Sequence, residues 1–211
     1  MISEIKTCTS RGLAFPIAMF RPDDTLVMNS RPRTAVLYFP EDIANEAAIE
    51  QMGTFFMSVG HQMFAVLASI RPGEELAVAS AAAGFIRRNA AELGTDPDLI
   101  IALGSGKAAL PAALLALSRG HTDPEYGDAA VAGAIVRQPL FPDDFRPGAV
   151  CTADAAPIYG AGKPSDGALL SLGEALTDNG VIFSLHLGPE PHDALLRWIY
   201  RLRREAGKVI R

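Results

Sequence analysis

The chain has 211 residues, 49% of them apolar and 20% charged, with a formal net charge of -5 and a pI near 5.4. That length supports one well-buried domain, read as spanning 1–211, and the acidic balance excludes a nucleic-acid or anionic-membrane surface, since both need clustered Lys and Arg. The first residues, "MISEIKTCTSRGLAF", lack a charged-then-apolar signal pattern, and no apolar run reaches the ~20 residues of a membrane span, so the cytoplasm is the expected location. Cys8 and Cys151 read as free thiols rather than a disulfide framework.

Taken in chain order, apolar strand-like runs fall at 13–20, 34–39 and 62–69. A helical pattern follows over 75–93, with Val78, Ala82, Phe85, Ile86 and Leu93 on one face and Gly94 as its stop. The stretch "DPDLIIALGSGKAALPAALLAL" runs from a strand at 99–103 through a glycine turn into a helix at 108–117 that is apolar on all sides. Further strand-like runs lie at 130–136, 149–152 and 181–187, and Leu195, Leu196, Ile199 and Leu202 form the apolar stripe of a last helix whose other side carries Arg197, Arg201, Arg203 and Arg204. Strands alternating with helices imply parallel pairing through right-handed crossovers, hence an α/β class chain in a three-layer α/β/α sandwich.

The turn "GSGK" is not a phosphate loop. Ile101 stands where G-x-x-x-x-G-K-[ST] needs its first glycine, and Ala108 stands where it needs the magnesium-binding hydroxyl. The longer segment "SAAAGFIRRNAAELGTDPDLIIALGSGKAALPAALLAL" resembles the helix, "DPDRI", strand, "GDSAGG", helix segment of α/β-hydrolase esterases of the hormone-sensitive-lipase and bacterial carboxylesterase type. "GLAFPIAMFRPDD" resembles the first paired strand of that family, "PRTAVLYFPEDI" its "YFHGGG" strand and oxyanion loop, and "FAVLASIRPGEE" its "DYRLAPE" segment. "CTADAAPI" resembles the "GTADPLVP" turn that carries the triad acid, and "GVIFSLHLGPEPHDALL" the "GVPVELHLYPGAGHGF" segment that carries the histidine. The resemblance implies a mostly parallel α/β-hydrolase sheet, with the acid at Asp154 and the histidine at His192; the short chain leaves no obvious cap domain.

Position by position, the nucleophile of the G-x-S-x-G turn falls on Gly106. The oxyanion glycines have become Pro40, Glu41 and Asp42, which bring carboxylates toward the place where negative charge would develop. Two parts of a serine-hydrolase apparatus are therefore altered, and the sequence reads as a hydrolase-like protein that has lost serine-esterase activity and serves as a scaffold for a small molecule or a partner. The alternative is a divergent carboxylic-ester hydrolase built on Ser105, His192 and Asp154. Ser105, one residue before the usual nucleophile position, reads as a hydroxyl capping the next helix, Lys107 as a solvated first-turn lysine, and Cys151 as a small buried hydrophobe in a strand. His61, His121 and His186 show no metal-ligand spacing, so neither a metal nor a cofactor is expected. A homodimer is left open.

Overall fold

The structure, a computed structural model, describes residues 2–22, 32–117, 120, 122–188 and 192–209. In chain order the elements are β1 (Glu4–Ser10), β2 (Leu13–Phe20), β3 (Arg33–Phe39), α1 (Glu46–Ser58), β4 (Gln62–Val66), α2 (Glu75–Arg88), α3 (Ala90–Leu93) and β5 (Thr95–Ser105). There follow a 3-10 turn (Gly106–Ala108), α4 (Ala109–Leu117), β6 (Thr122–Asp123), β7 (Gly127–Asp128), β8 (Gly133–Arg137), α5 (Pro147–Val150), β9 (Ile158–Gly162), α6 (Gly167–Asp178), β10 (Phe183–Leu187) and α7 (His192–Val209).

Eight strands form one sheet in the order β1-β2-β4-β3-β5-β8-β9-β10, and β6 and β7 make a small separate ribbon. β2 runs antiparallel to both of its neighbours, and the pairs from β4 through β3, β5, β8 and β9 to β10 are parallel. Strand alternation sends successive side chains to opposite faces, and each face has its own core. Ala35, Leu37, Phe39, Ile100, Ala102, Ala134 and Val136 pack beneath residues of α2, α4 and α6. On the other face, Val36, Tyr38, Ile101, Leu103, Ile135 and Tyr159 pack beneath α1 and the apolar stripe of α7, namely Leu195, Trp198, Ile199 and Leu202. This is the three-layer sandwich that the alternating pattern predicts.

Two local expectations need correction. The run 149–152 is not a strand: α5 starts with Pro147 at its first turn, where the missing N–H costs nothing, and Cys151 caps it as a half-buried residue outside any strand. The strand lies later, at β9, whose "IYGAG" is not among the apolar runs of the sequence and carries two glycines. Those glycines are required by packing, since a Cβ on Gly160 would meet Phe183 Cζ at 2.8 Å and one on Gly162 would meet Leu169 Cδ1 at 2.5 Å. The expected helix 75–93 is two pieces, α2 and α3, separated at Asn89, whose side chain donates to the Phe85 carbonyl at 2.8 Å. Gly94 closes α3 in the left-handed conformation at φ 69°.

The strand order creates one crevice. The chain leaves β3 for β4 on one side and leaves β5 for β8 on the other, so the loops at the carboxyl ends of β3 and β5 diverge. In open α/β sheets such a divergence is where ligands are bound.

Candidate functional site at the carboxyl ends of β3 and β5

β5 ends at Ser105, and the backbone folds at once into the 3-10 turn that runs on into α4. The tightness of this fold dictates two glycines. A Cβ on Gly104 would collide with the Ala108 carbonyl and stand 2.8 Å from Ala109 Cα, which are backbone atoms that cannot move aside. Gly106 is buried at φ 56°, in the left-handed region that glycine enters without strain, as its place at the apex of the turn predicts.

The space beside Gly106 is occupied. A Cβ built there would overlap the Glu41 carboxylate, with Oε2 2.5 Å away. Glu41 reaches this point because β3 stops at Phe39 and Pro40 turns the chain across the crevice. Asp42, beside it, is used differently: its Oδ1 accepts from Ala44 N–H at 2.9 Å, and Asn45 then caps α1 by accepting from Ala48 N–H at 3.1 Å. Of the two carboxylates expected in this loop, Glu41 is the one that overhangs the turn.

Beneath Glu41, burial pushes the Tyr38 hydroxyl above its ordinary range; the Arg137 guanidinium pulls the other way, and the Glu41 charge adds to the rise. Ser105 is level with Arg137 in the parallel register of β5 and β8 and, by alternation from Ile101 and Leu103, belongs to the α1–α7 face. Its backbone occupies the position before the 3-10 turn, but its side chain makes no capping hydrogen bond, so the expected cap is absent.

Over the turn lies a cleft of about 650 Å³. Pro40, Glu41 and Asp42 form one wall, Lys107 and Leu110 another, and Leu140 and Phe141 after β8 a third. Lys107 is exposed, as expected for a first-turn lysine, and it faces the cleft. Ser105 is not among the lining residues. The walls contributed by 68–75 and 140–142 escaped the sequence reading, because nothing in an apolar loop residue shows which crevice it will border.

Asp154 requires a correction. It lies before β9, in a loop tied to the end of α4 by Thr152 N–H to the Leu117 carbonyl at 3.0 Å and Ala156 N–H to the Ala116 carbonyl at 2.7 Å. α4 runs back from the turn, so this loop sits at the amino edge of the sheet, a full strand length from Gly106; there Thr152 Oγ1 donates to Asp154 Oδ1 at 2.5 Å. "CTADAAPI" precedes a strand, whereas the turn it resembles follows one. The residues after β9, on the carboxyl edge, are Lys163 to Asp166, and Asp166 is engaged as the cap of α6, accepting from Leu169 N–H at 3.2 Å. His192 begins α7 beyond the carboxyl end of β10, on the same edge as Gly106, but its side chain is outside the described part of the structure. His121 also lies outside the described residues. His61 is at the amino edge, immediately before β4, and His186 is in β10.

Among solved structures, Thermogutta terrifontis esterase 2 phosphorylated by paraoxon matches with a TM-score of 0.70 at 18% identity, over 88% of this chain and 81% of that chain. The native form of that thermophilic esterase matches with a TM-score of 0.67 at 19% identity, over 96% and 90%. The acetyl ester-xyloside bifunctional hydrolase of Caldicellulosiruptor lactoaceticus matches with a TM-score of 0.67 at 17% identity, over 85% and 79%. The chain has the α/β-hydrolase fold. No family model matches the sequence and no curated protein is detectably similar to it, so the likeness is one of fold. In an α/β hydrolase the turn after the fifth strand presents the nucleophile, and in this chain the turn after β5 presents Gly106 with the Glu41 carboxylate above it. No helix among the described residues is long and apolar enough to cross a membrane.

Proposed function

We propose that this α/β-hydrolase-fold protein does not act by a serine mechanism and binds a small molecule in the cleft over Gly106. One observation carries the reading: where a serine hydrolase needs a hydroxyl, the backbone has no side chain and a carboxylate from the neighbouring loop fills the space. A carboxylate there opposes the charge that an ester's tetrahedral intermediate develops. Supporting this, Ser105 is not among the residues that line the cleft, and Asp154 lies at the other edge of the sheet from Gly106. The ligand-binding half of the reading is supported by the cleft's volume of about 650 Å³ at the divergence of the β3 and β5 loops.

The similar esterase from Thermogutta is phosphorylated by paraoxon. The corresponding experiment on this protein is incubation with paraoxon or a fluorophosphonate followed by intact-mass spectrometry, together with hydrolysis of a short-chain nitrophenyl ester by the protein and its Ser105→Ala variant. The expected result is no adduct and equal, near-background rates. An adduct on Ser105, or a clear loss of rate in the variant, refutes the reading.

A further inference from the structure

We propose that the ligand of this cleft is an organic ammonium ion with an apolar body, its charge held by Glu41. The proposal rests on the reading of the cleft as a ligand site and specifies what that site selects. The walls are mainly apolar, with Ile70, Leu110, Leu140 and Phe141 contributing. Leu140 is 59% exposed although its backbone is fixed to the turn by its N–H donating to the Gly106 carbonyl at 2.9 Å. A large side chain held in place and left in water at the mouth of a cleft is surface that an apolar ligand body would cover.

The polar end of the cleft determines the sign of the ligand. Its charged lining groups are Glu41, Asp42, Glu75 and Lys107. Asp42 is committed to the Ala44 N–H and Glu75 to the Gly73 N–H at 2.7 Å, so both serve their own loops. Glu41 has no hydrogen bond or ion pair among the described residues, and its two oxygens retain their acceptor capacity while held against the buried floor at Gly106. An ammonium group can donate to both oxygens in a charge-assisted pair, whereas a carboxylate or phosphate ligand entering the same end would meet Glu41 as a like charge. Lys107, exposed in the same lining, makes no ion pair with Glu41.

The test uses three probes of one shape, 4-phenylbutylamine, 4-phenylbutanol and 4-phenylbutyrate, titrated into the full chain by 1H–15N NMR. The Gly106, Lys107 and Leu140 amides should shift, and the amine should bind at least tenfold more tightly than the alcohol, with the butyrate weakest. Glu41→Gln should bring the amine down to the level of the alcohol while leaving the alcohol unchanged; Glu41 is exposed, and an unaltered spectrum elsewhere shows that the variant is folded. Alcohol or butyrate binding as tightly as the amine, an amine preference that survives in Glu41→Gln, or amine-induced shifts confined to other surfaces each overturn the proposal. A cleft that takes the alcohol and shows no preference for the amine refutes this proposal alone. Absence of binding by any probe, combined with Ser105-dependent ester hydrolysis, refutes the ligand-site reading as well.

Discussion

His61 should make the protein acid-sensitive in a way that can be isolated. It is 1% exposed, both ring nitrogens lack a hydrogen-bond partner among the described residues, and its ring lies between those of Phe56 and Tyr200 at centroid distances of 6.4 and 5.8 Å. Burial, with the Arg203 charge adding, lowers its pKa from 6.5 to about 4. The folded chain therefore resists a proton that the unfolded chain accepts, so stability is full above pH 6.5 and declines as pH falls toward 4. Protonation linkage with these two values gives a loss of about 2 kcal/mol at pH 5 relative to pH 7, and about 3 kcal/mol at pH 4. His61→Phe keeps a ring in the site and removes the titration. Urea unfolding of both proteins at pH 7 and pH 5 isolates the effect, because carboxylate contributions cancel between them. With a slope of roughly 2 kcal/mol per molar urea, the wild-type midpoint should fall by about 1 M more than that of the variant. Equal falls would show that His61 is protonated as readily in the native state as in the unfolded chain, and would refute the reasoning.

Gly106→Ala should cost about 1–2 kcal/mol, set by the left-handed backbone, and Glu41→Gly should recover little of it, because the exposed carboxylate can swing away from an added methyl; urea midpoints of the single and double variants check this. Gly106→Ser, alone or with Glu41→Gly and Asp42→Gly, should leave short-chain nitrophenyl ester hydrolysis within roughly tenfold of background, since Asp154 is on the far edge, Asp166 on the carboxyl edge is committed to capping α6, and loss of a single oxyanion donor costs roughly 10²–10³ in rate in a working hydrolase; robust turnover by the single variant would contradict this. Cys8 is fully buried and burial raises its thiol pKa to about 12, whereas Cys151 is half-buried, so an aromatic disulfide reagent should label Cys151 in the native protein and reach Cys8 only after denaturant is added.

Legibility followed the range of the physics. β3, β5 and β10 could be read from their β-branched and aromatic runs, and α4 and α7 from their apolar distribution, because burial selects those residues locally. β1 was missed: as an edge strand with exposed Glu4, Ile5 and Thr7, "EIKTCTS" lacks the apolar face by which a strand is recognised. Gly106 could be placed at the turn because a strand, a tight glycine turn and a helix are consecutive in the chain. Asp154 was misplaced because its motif is a three-residue match whose meaning depends on which side of a strand it falls, and β9 is concealed by the glycines that Leu169 and Phe183 require.

The sequence by itself determined the α/β class, the glycine at position 106 and the acidic residues in the loop after β3, since each is a matter of residue identity or short-range pattern. Only the tertiary structure decided that Glu41 alone overhangs Gly106, that Asp42 is spent on its own turn, that Ser105 stays out of the cleft and that Asp154 lies at the far edge. These depend on strand order and register, which bring residues 41, 107 and 140 to one crevice. Contacts between residues distant in the chain are set by how whole faces of helices and strands bury one another, and no single residue carries that information.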